Sequence, residues 1–189
     1  LRDLINFARR DVANYLATQH GDAPDASKAE VMVAAAEMVI GLPYEMGGNG
    51  WLNSIDGYGF IRWCVRAAEA WVPRLGLRFH REIACASVSR SKFASLTGEP
   101  DADQILPYIE AWGLQRVNEI HPIKTQPGDI VLSLGNGPGA VIVMQGSDHP
   151  EGELVAGIWC QSSPQIRADA GVGRSRVRVY RWPSARAVV

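Results

Sequence analysis

Residues 126–144 read QPGDIVLSLGNGPGAVIVM, and in this stretch the chain changes its period. Gln126-Pro127-Gly128-Asp129 is composed as a turn, since proline presets φ and glycine tolerates a left-handed backbone. The run 130–134 (IVLSL) is rich in Ile, Val and Leu, as in a strand with little of either face in water. Gly135-Asn136-Gly137-Pro138 forms a second turn signal, and 140–144 (AVIVM) is a second buried strand. Further on, 154–160 and 177–182 read as strands, the latter alternating Val177 and Val179 with Arg178 and Tyr180.

Upstream of this stretch the spacing is helical. Ser27 followed by Glu30 is a capping-box pair, so a helix starts there and runs over 30–40, an Ala-rich body. Gly41 suits the left-handed cap and Pro43 blocks continuation. Asp56 is placed to cap a second helix whose apolar stripe is Phe60, Ile61, Cys64, Ala67, Ala68, Trp71 and Val72, ending at Pro73 or Gly76. Residues 87–96 and 102–112 suggest two short helices. Leu4, Ile5, Ala8, Val12, Tyr15 and Leu16 mark a further helix over 1–19, followed by a Gly/Pro/Asp-rich linker. Helices first and an antiparallel sheet after them is an α+β pattern. The expected organisation is an N-terminal helix and linker over 1–26, one domain over 27–183 and a tail over 184–189.

Composition bounds the function. With 189 residues, 47% hydrophobic and 21% charged, the chain suits one ordinary core. A formal net charge of −1 gives no electrostatic footprint for nucleic acid. The longest apolar run, 31–39, is interrupted by Glu37 and falls short of the about 18 residues a membrane span needs. The start LRDLINFARR lacks a charged n-region with an apolar h-region, so no signal peptide is expected. Cys64, Cys85 and Cys160 are too few and too scattered for a disulfide framework or a zinc motif. No cofactor is expected: Gly47-Gly48-Asn49-Gly50 lacks the Gly-Lys-Ser/Thr ending of a phosphate loop, and no His pair has metal-ligand spacing.

The order of three segments carries a resemblance. Gly41-Leu42-Pro43-Tyr44-Glu45-Met46-Gly47-Gly48, then Asp56-Gly57-Tyr58-Gly59-Phe60 opening a helix, then Pro127-Gly128-Asp129-Ile130-Val131 opening a sheet, resembles the NlpC/P60 family of papain-like cell-wall peptidases and amidases over most of residues 28–183. The resemblance implies a papain-like core of helices packed on an antiparallel sheet, with an added N-terminal helix. It implies a cysteine at the start of the second helix, where the macrodipole favours thiolate, and a histidine heading the second strand as base. The chain departs at both places. The nucleophile's position is Gly57, and the histidine's is Gly139 or Ala140, depending on a one-residue choice of register. The orienting residue would come from around Trp159-Cys160-Gln161, with Gln161 the polar group available.

No other residue replaces them. Cys64 lies seven residues past Gly57, about 10 Å further along the helix, and inside the apolar stripe. Cys160 reads as a core or rim thiol, and Cys85 has no motif around it. His20 and His149 sit in solvated linkers, while His80 and His121 carry no partner pattern. Trp63 and Trp71 belong to the helix stripe, and Trp51 in the glycine segment is the aromatic expected to be exposed.

What the resemblance implies is therefore a catalytically degenerate module with a structural or peptidoglycan-peptide-binding role in a bacterial cell-envelope, secreted or phage-tail-like setting. Tyr44, Trp51, Asp56, Tyr58 and Gln161 are its candidate binding residues. The glycine segment would let a peptide approach the backbone, Tyr58 would fill the space a substrate once used, and the N-terminal helix would dock on a protein partner. The other possibility is an active cysteine peptidase or amidase with a displaced nucleophile.

Overall fold

The computed structural model describes residues 27–48, 54–70, 98, 100–117, 124–133, 139–168 and 177–183. Helix α1 spans Lys28–Met38, α2 spans Gly57–Ala70 and α3 spans Ala102–Ala111. The strands are β1 Gln115–Arg116, β2 Ile130–Ser133, β3 Ala140–Gln145, β4 Leu154–Gly157, β5 Gln165–Ala168 and β6 Val177–Arg181. They form one six-stranded sheet in the order β1-β6-β2-β3-β4-β5, every pair antiparallel. The α+β class expected from the change of period is the class observed. The expected helix over 1–19, most of the linker, the helix over 87–96, the C-terminal tail, and Trp51, Trp71, Cys85, His20, His80 and His121 lie outside the described residues.

Helix α1 begins as its capping box dictates. The Ser27 hydroxyl accepts from the Glu30 N–H at 3.2 Å, and the Glu30 carboxylate accepts from the Ser27 N–H at 2.6 Å. Such a cap is worth about 1 kcal/mol. The helix ends before Gly41, whose φ of +82° is the left-handed conformation anticipated there. Val31, Met32, Ala34, Ala35 and Ala36 are all buried, so α1 lies between α2 and the sheet rather than on the surface. Its small alanines let α2 approach closely enough for the Trp63 indole to donate to the Ala35 carbonyl at 2.8 Å. Helix α3 is capped by Asp101, whose carboxylate accepts from Asp103 and Gln104 N–H at 2.8 and 3.2 Å. Pro107 lies inside it and removes one helical hydrogen bond.

The central strands β2 and β3 are buried on both faces, which is why they read as continuous apolar runs. Ile130, Leu132, Ala140, Ile142, Ala156, Ile158, Tyr180 and Trp182 share one core with the helices. Val131, Val141, Val143, Val155 and Val179 form a second cluster with Trp159 on the opposite face. The register Ile130↔Ile142 and Ile130↔Tyr180 sends every alternate side chain of β2, β3 and β6 to the same face.

Two differences from the sequence expectation have clear causes. The strand expected over 154–160 leaves the ladder after Gly157, because Cys160 and Gln161 take φ of +51° and +56° and turn the chain. Strand β5 was not anticipated. Its four residues, QIRA, lie at the sheet edge with three of them exposed, so no alternation of apolar and polar side chains marks them.

Candidate functional site

The segment 43–48 lies along 55–56 and against the start of α2. Tyr44 and Ile55 form a parallel bridge, the Ile55 N–H donates to the Pro43 carbonyl at 3.0 Å, and the Asp56 N–H donates to the Gly48 carbonyl at 3.1 Å. Gly47 has φ of +85° and turns the chain. At Gly48 a Cβ would lie 2.6 Å from the Ile55 nitrogen, and at Gly59 it would strike the Gly48 carbonyl oxygen. These glycines permit two parts of this chain to touch, which is a use different from the peptide approach expected of the segment.

Asp56 organises the junction. It is fully buried, and its Oδ2 accepts from Gly47 N–H and Gly98 N–H, both at 2.8 Å, while Oδ1 accepts from Gly59 N–H at 2.6 Å. The Arg62 guanidinium stands 4.0 Å from Oδ1. Burial lowers the Arg62 pKa, and the Asp56 charge opposes that shift. One carboxylate thus ties the glycine segment, the first turn of α2 and residue 98 together. Three backbone donors on a buried carboxylate are the reason a charge is tolerated there.

Tyr58 is also buried and turned toward the protein interior. Its N–H donates to the Gly98 carbonyl at 3.2 Å, its hydroxyl accepts from Asp101 N–H at 3.0 Å, and the hydroxyl donates to Gln104 Oε1 at 3.3 Å. Burial pushes its phenol pKa up. Gly98, Pro100 and Asp101 therefore form a strap between the N-terminus of α2 and the start of β3. At the β3 end the fit is closer still. A Cβ on Gly139 would coincide with the Pro100 carbonyl oxygen, so no side chain of any kind fits at 139 while the strap is seated. Ala140 is buried in the core and its methyl carries no proton-transfer group.

The third element at this end of the sheet is the turn beyond β4. The register Ile142↔Ala156, continued two residues, puts Ile158 beside Ala140. The chain then reverses through Trp159-Cys160-Gln161-Ser162, with Ser162 N–H donating to the Trp159 carbonyl at 3.1 Å. Positive φ at both central residues is what a mirror-image type I turn demands, and for non-glycine residues it costs about 1–3 kcal/mol each. Cys160 and Gln161 are exposed there, so the thiol is on the rim and not in the core. The Arg167 guanidinium lies 4.6 Å from the Trp159 ring centroid and stacks over it.

At the Pro127-Gly128-Asp129 turn the motif is structural. Gly128 has φ of +83°, and a Cβ there would lie 2.6 Å from Ala29, so the turn presses on the first turn of α1. Asp129 is fully buried. It accepts from Gln126 N–H at 2.8 Å and from the Arg181 guanidinium through both oxygens, each at 2.8 Å. The pair joins the start of β2 to the end of β6 and fixes their register.

Of the candidate binding residues, the structure brings Tyr44, Asp56 and Tyr58 to one junction. Asp56 and Tyr58 face inward, Tyr44 is half-buried against the core, Gln161 is exposed in its turn and Trp51 is not described. Cys64 is fully buried, and burial pushes its thiol far above the ordinary 9.0, so it is an inert core group. His149 is exposed, and its Nδ1 accepts from Glu151 N–H at 3.2 Å. Among the described residues, no three His, Cys, Asp or Glu side chains are placed to hold a metal ion, and no helix is long and apolar enough to cross a membrane.

Sequence reasoning passed over Gly98, Pro100, Asp101 and Gln104. The TGEPD composition of 97–101 marks a turn followed by a cap, yet nothing in it shows which groove the turn enters. Chemically, this junction holds peptide backbone. It offers one buried carboxylate and one helix-terminal N–H to a peptide unit, while positions 57, 139 and 140 supply neither nucleophile nor base. Compared with protein-family models, curated proteins and solved structures, the chain matches none.

Proposed function

We propose that the chain is a catalytically degenerate NlpC/P60-like module with a structural role in a cell-wall-associated or phage-tail-like assembly. The kinship rests on the order of the glycine segment, the Asp56-Gly57 helix start and the Pro127-Gly128-Asp129 turn. The observation that supports a loss of activity is the Pro100 carbonyl seated where any side chain at 139 would have to lie, while Ala140, the other position in register, is buried and carries only a methyl. A base cannot be placed at that position without expelling the strap. Gly57 supplies no nucleophile, and Cys64 is too deeply buried to replace it.

Digestion of purified peptidoglycan, read by mass spectrometry of released fragments with and without a thiol-blocking reagent, tests the reading. The expected result is no new fragment under either condition. Thiol-sensitive cleavage of stem peptides would overturn it and favour an active peptidase or amidase with a displaced nucleophile.

A further inference from the structure

The described sheet ends in two unlike edges. Strand β1 has only two residues, whereas β5 has four and pairs with β4 in unbroken register from Leu154↔Ala168 to Gly157↔Gln165, so no bulge turns it aside. Edge strands are commonly guarded against further pairing by a lysine, an acidic residue, a proline or a bulge. Gln165-Ile166-Arg167-Ala168 has none of these. Its one charge is folded back on its own chain. The Arg167 guanidinium donates to Gln165 Oε1 at 2.9 and 3.2 Å and stacks over the Trp159 ring.

The side chains supply a second observation. The registers Tyr180↔Ile130, Ile130↔Ile142, Ile142↔Ala156 and Ala156↔Ile166 make one apolar row across the face that the helices cover. Tyr180 is 1% exposed and Ile130, Ile142 and Ala156 are 0% exposed, but Ile166, at the edge, is 42% exposed. Among the described residues only Met46 is a large apolar side chain more exposed than this. The row therefore ends in water on an apolar residue.

We propose that β5 pairs antiparallel with β5 of a second copy of this chain, about a two-fold axis normal to the sheet, with Ile166 opposite the partner's Ile166. Residues directly opposite one another share a face, so the apolar row then runs on into the partner's row. The same register sets Gln165 opposite the partner's Arg167, and Arg167 opposite the partner's Gln165. A guanidinium donor thus meets an amide acceptor on both sides of the axis, and no like charges face each other. The edge complements itself, as a two-fold contact must. A four-residue strand buries little surface, so the dimer is weak, with a Kd of about 10–100 µM. The proposal stands on the sheet edge and is independent of kinship to the NlpC/P60 proteins, so digestion of peptidoglycan leaves it untouched.

Sedimentation velocity of the full chain, from about 5 to about 500 µM, tests it. The expected result is a monomer that gives way to a dimer as concentration rises. Ile166→Lys should stay monomeric throughout with an unchanged melting curve, because the side chain it replaces is largely in water. The register has its own test in a Cys160→Ser background. Directly opposite Cα atoms in an antiparallel pair lie about 4.5–5.5 Å apart, within disulfide reach, whereas residues 167 of the two copies meet only diagonally. Ile166→Cys should therefore cross-link under mild oxidation about tenfold or more faster than Arg167→Cys. A monomer at every concentration would overturn the proposal, including one that binds an extended peptide at this edge. So would a dimer that Ile166→Lys leaves intact, or cross-linking with no preference for position 166.

Discussion

Among the described residues two aspartates are fully buried, and each is made tolerable by a different means. Asp129 faces a guanidinium in a fork-to-fork pair with Arg181, whose side chain is 25% exposed. Asp56 instead accepts three backbone N–H bonds from residues 47, 59 and 98, with the Arg62 guanidinium 4.0 Å away. The first arrangement joins two neighbouring strands at their ends. The second joins three segments far apart in sequence and closes the groove at the start of α2. A charge neutralised by a side chain secures a local register, whereas a charge neutralised by backbone can gather whole segments.

The largest effect should come from breaking the second arrangement. Asp56→Ala strands the buried N–H groups of Gly59 and Gly98, each worth about 1–3 kcal/mol, and releases the part-buried N–H of Gly47, so a loss of about 3 kcal/mol or more is expected by urea denaturation. Fast amide exchange should appear at residues 47, 59 and 98 together. Loss of protection at one of them alone would mean that Asp56 does not couple the three. Arg181→Ala leaves Asp129 buried with only Gln126 N–H and should cost about 3 kcal/mol, the exposed side of Arg181 moderating the loss. Its exchange signature should stay at the ends of β2 and β6, and spread into residues 56–59 would erase the contrast between the two sites. Gly139→Ala forces the Pro100 carbonyl aside and should cost about 2 kcal/mol while releasing the strap. An unchanged melting curve for that variant would contradict the packing described at β3.

The smallest effect is one of pH. Burial raises the pKa of the Tyr58 phenol and of the Cys64 thiol above their ordinary values of 10.0 and 9.0. The unfolded chain therefore releases these protons before the folded one does. Their contribution to stability is fully present below about pH 9 and is lost as pH rises beyond it, with a slope of up to about 1.4 kcal/mol per pH unit for each group. Denaturation midpoints at pH 8 and pH 10 should differ in that direction, and Cys64→Ala should remove the first part of the decline. A midpoint that is flat to pH 11 would show both groups to be accessible.

The same contrast separates what the sequence makes legible from what it hides. The Ser27–Glu30 cap, the Gly41 stop, the Asp56 helix start and the β2, β3 and β6 runs are local signals, each decided by residues within a turn or two, and the structure has them. The Pro127-Gly128-Asp129 turn was readable for the same reason, although its pairing with Arg181 was not, since that partner lies 52 residues on. Strand β5 escaped because its pairing to β4 is set by the ladder and not by a pattern in QIRA. The site followed this rule. That positions 57, 139 and 140 carry neither nucleophile nor base was visible in the sequence, but the carbonyl that fills the space beside 139 comes from Pro100, and no local feature of either segment points to the other.

The groove between the start of α2 and the start of β3 is filled by this chain's own backbone. Amide hydrogen exchange at Gly98, followed by NMR on the unmodified protein, tests it most directly. A Gly98 N–H bonded to a buried carboxylate should be protected about a thousandfold or more over an unstructured peptide, alongside Gly59, which shares that carboxylate. Exchange of Gly98 at the rate of a free peptide, with Gly59 still protected, would mean instead that the groove stands open.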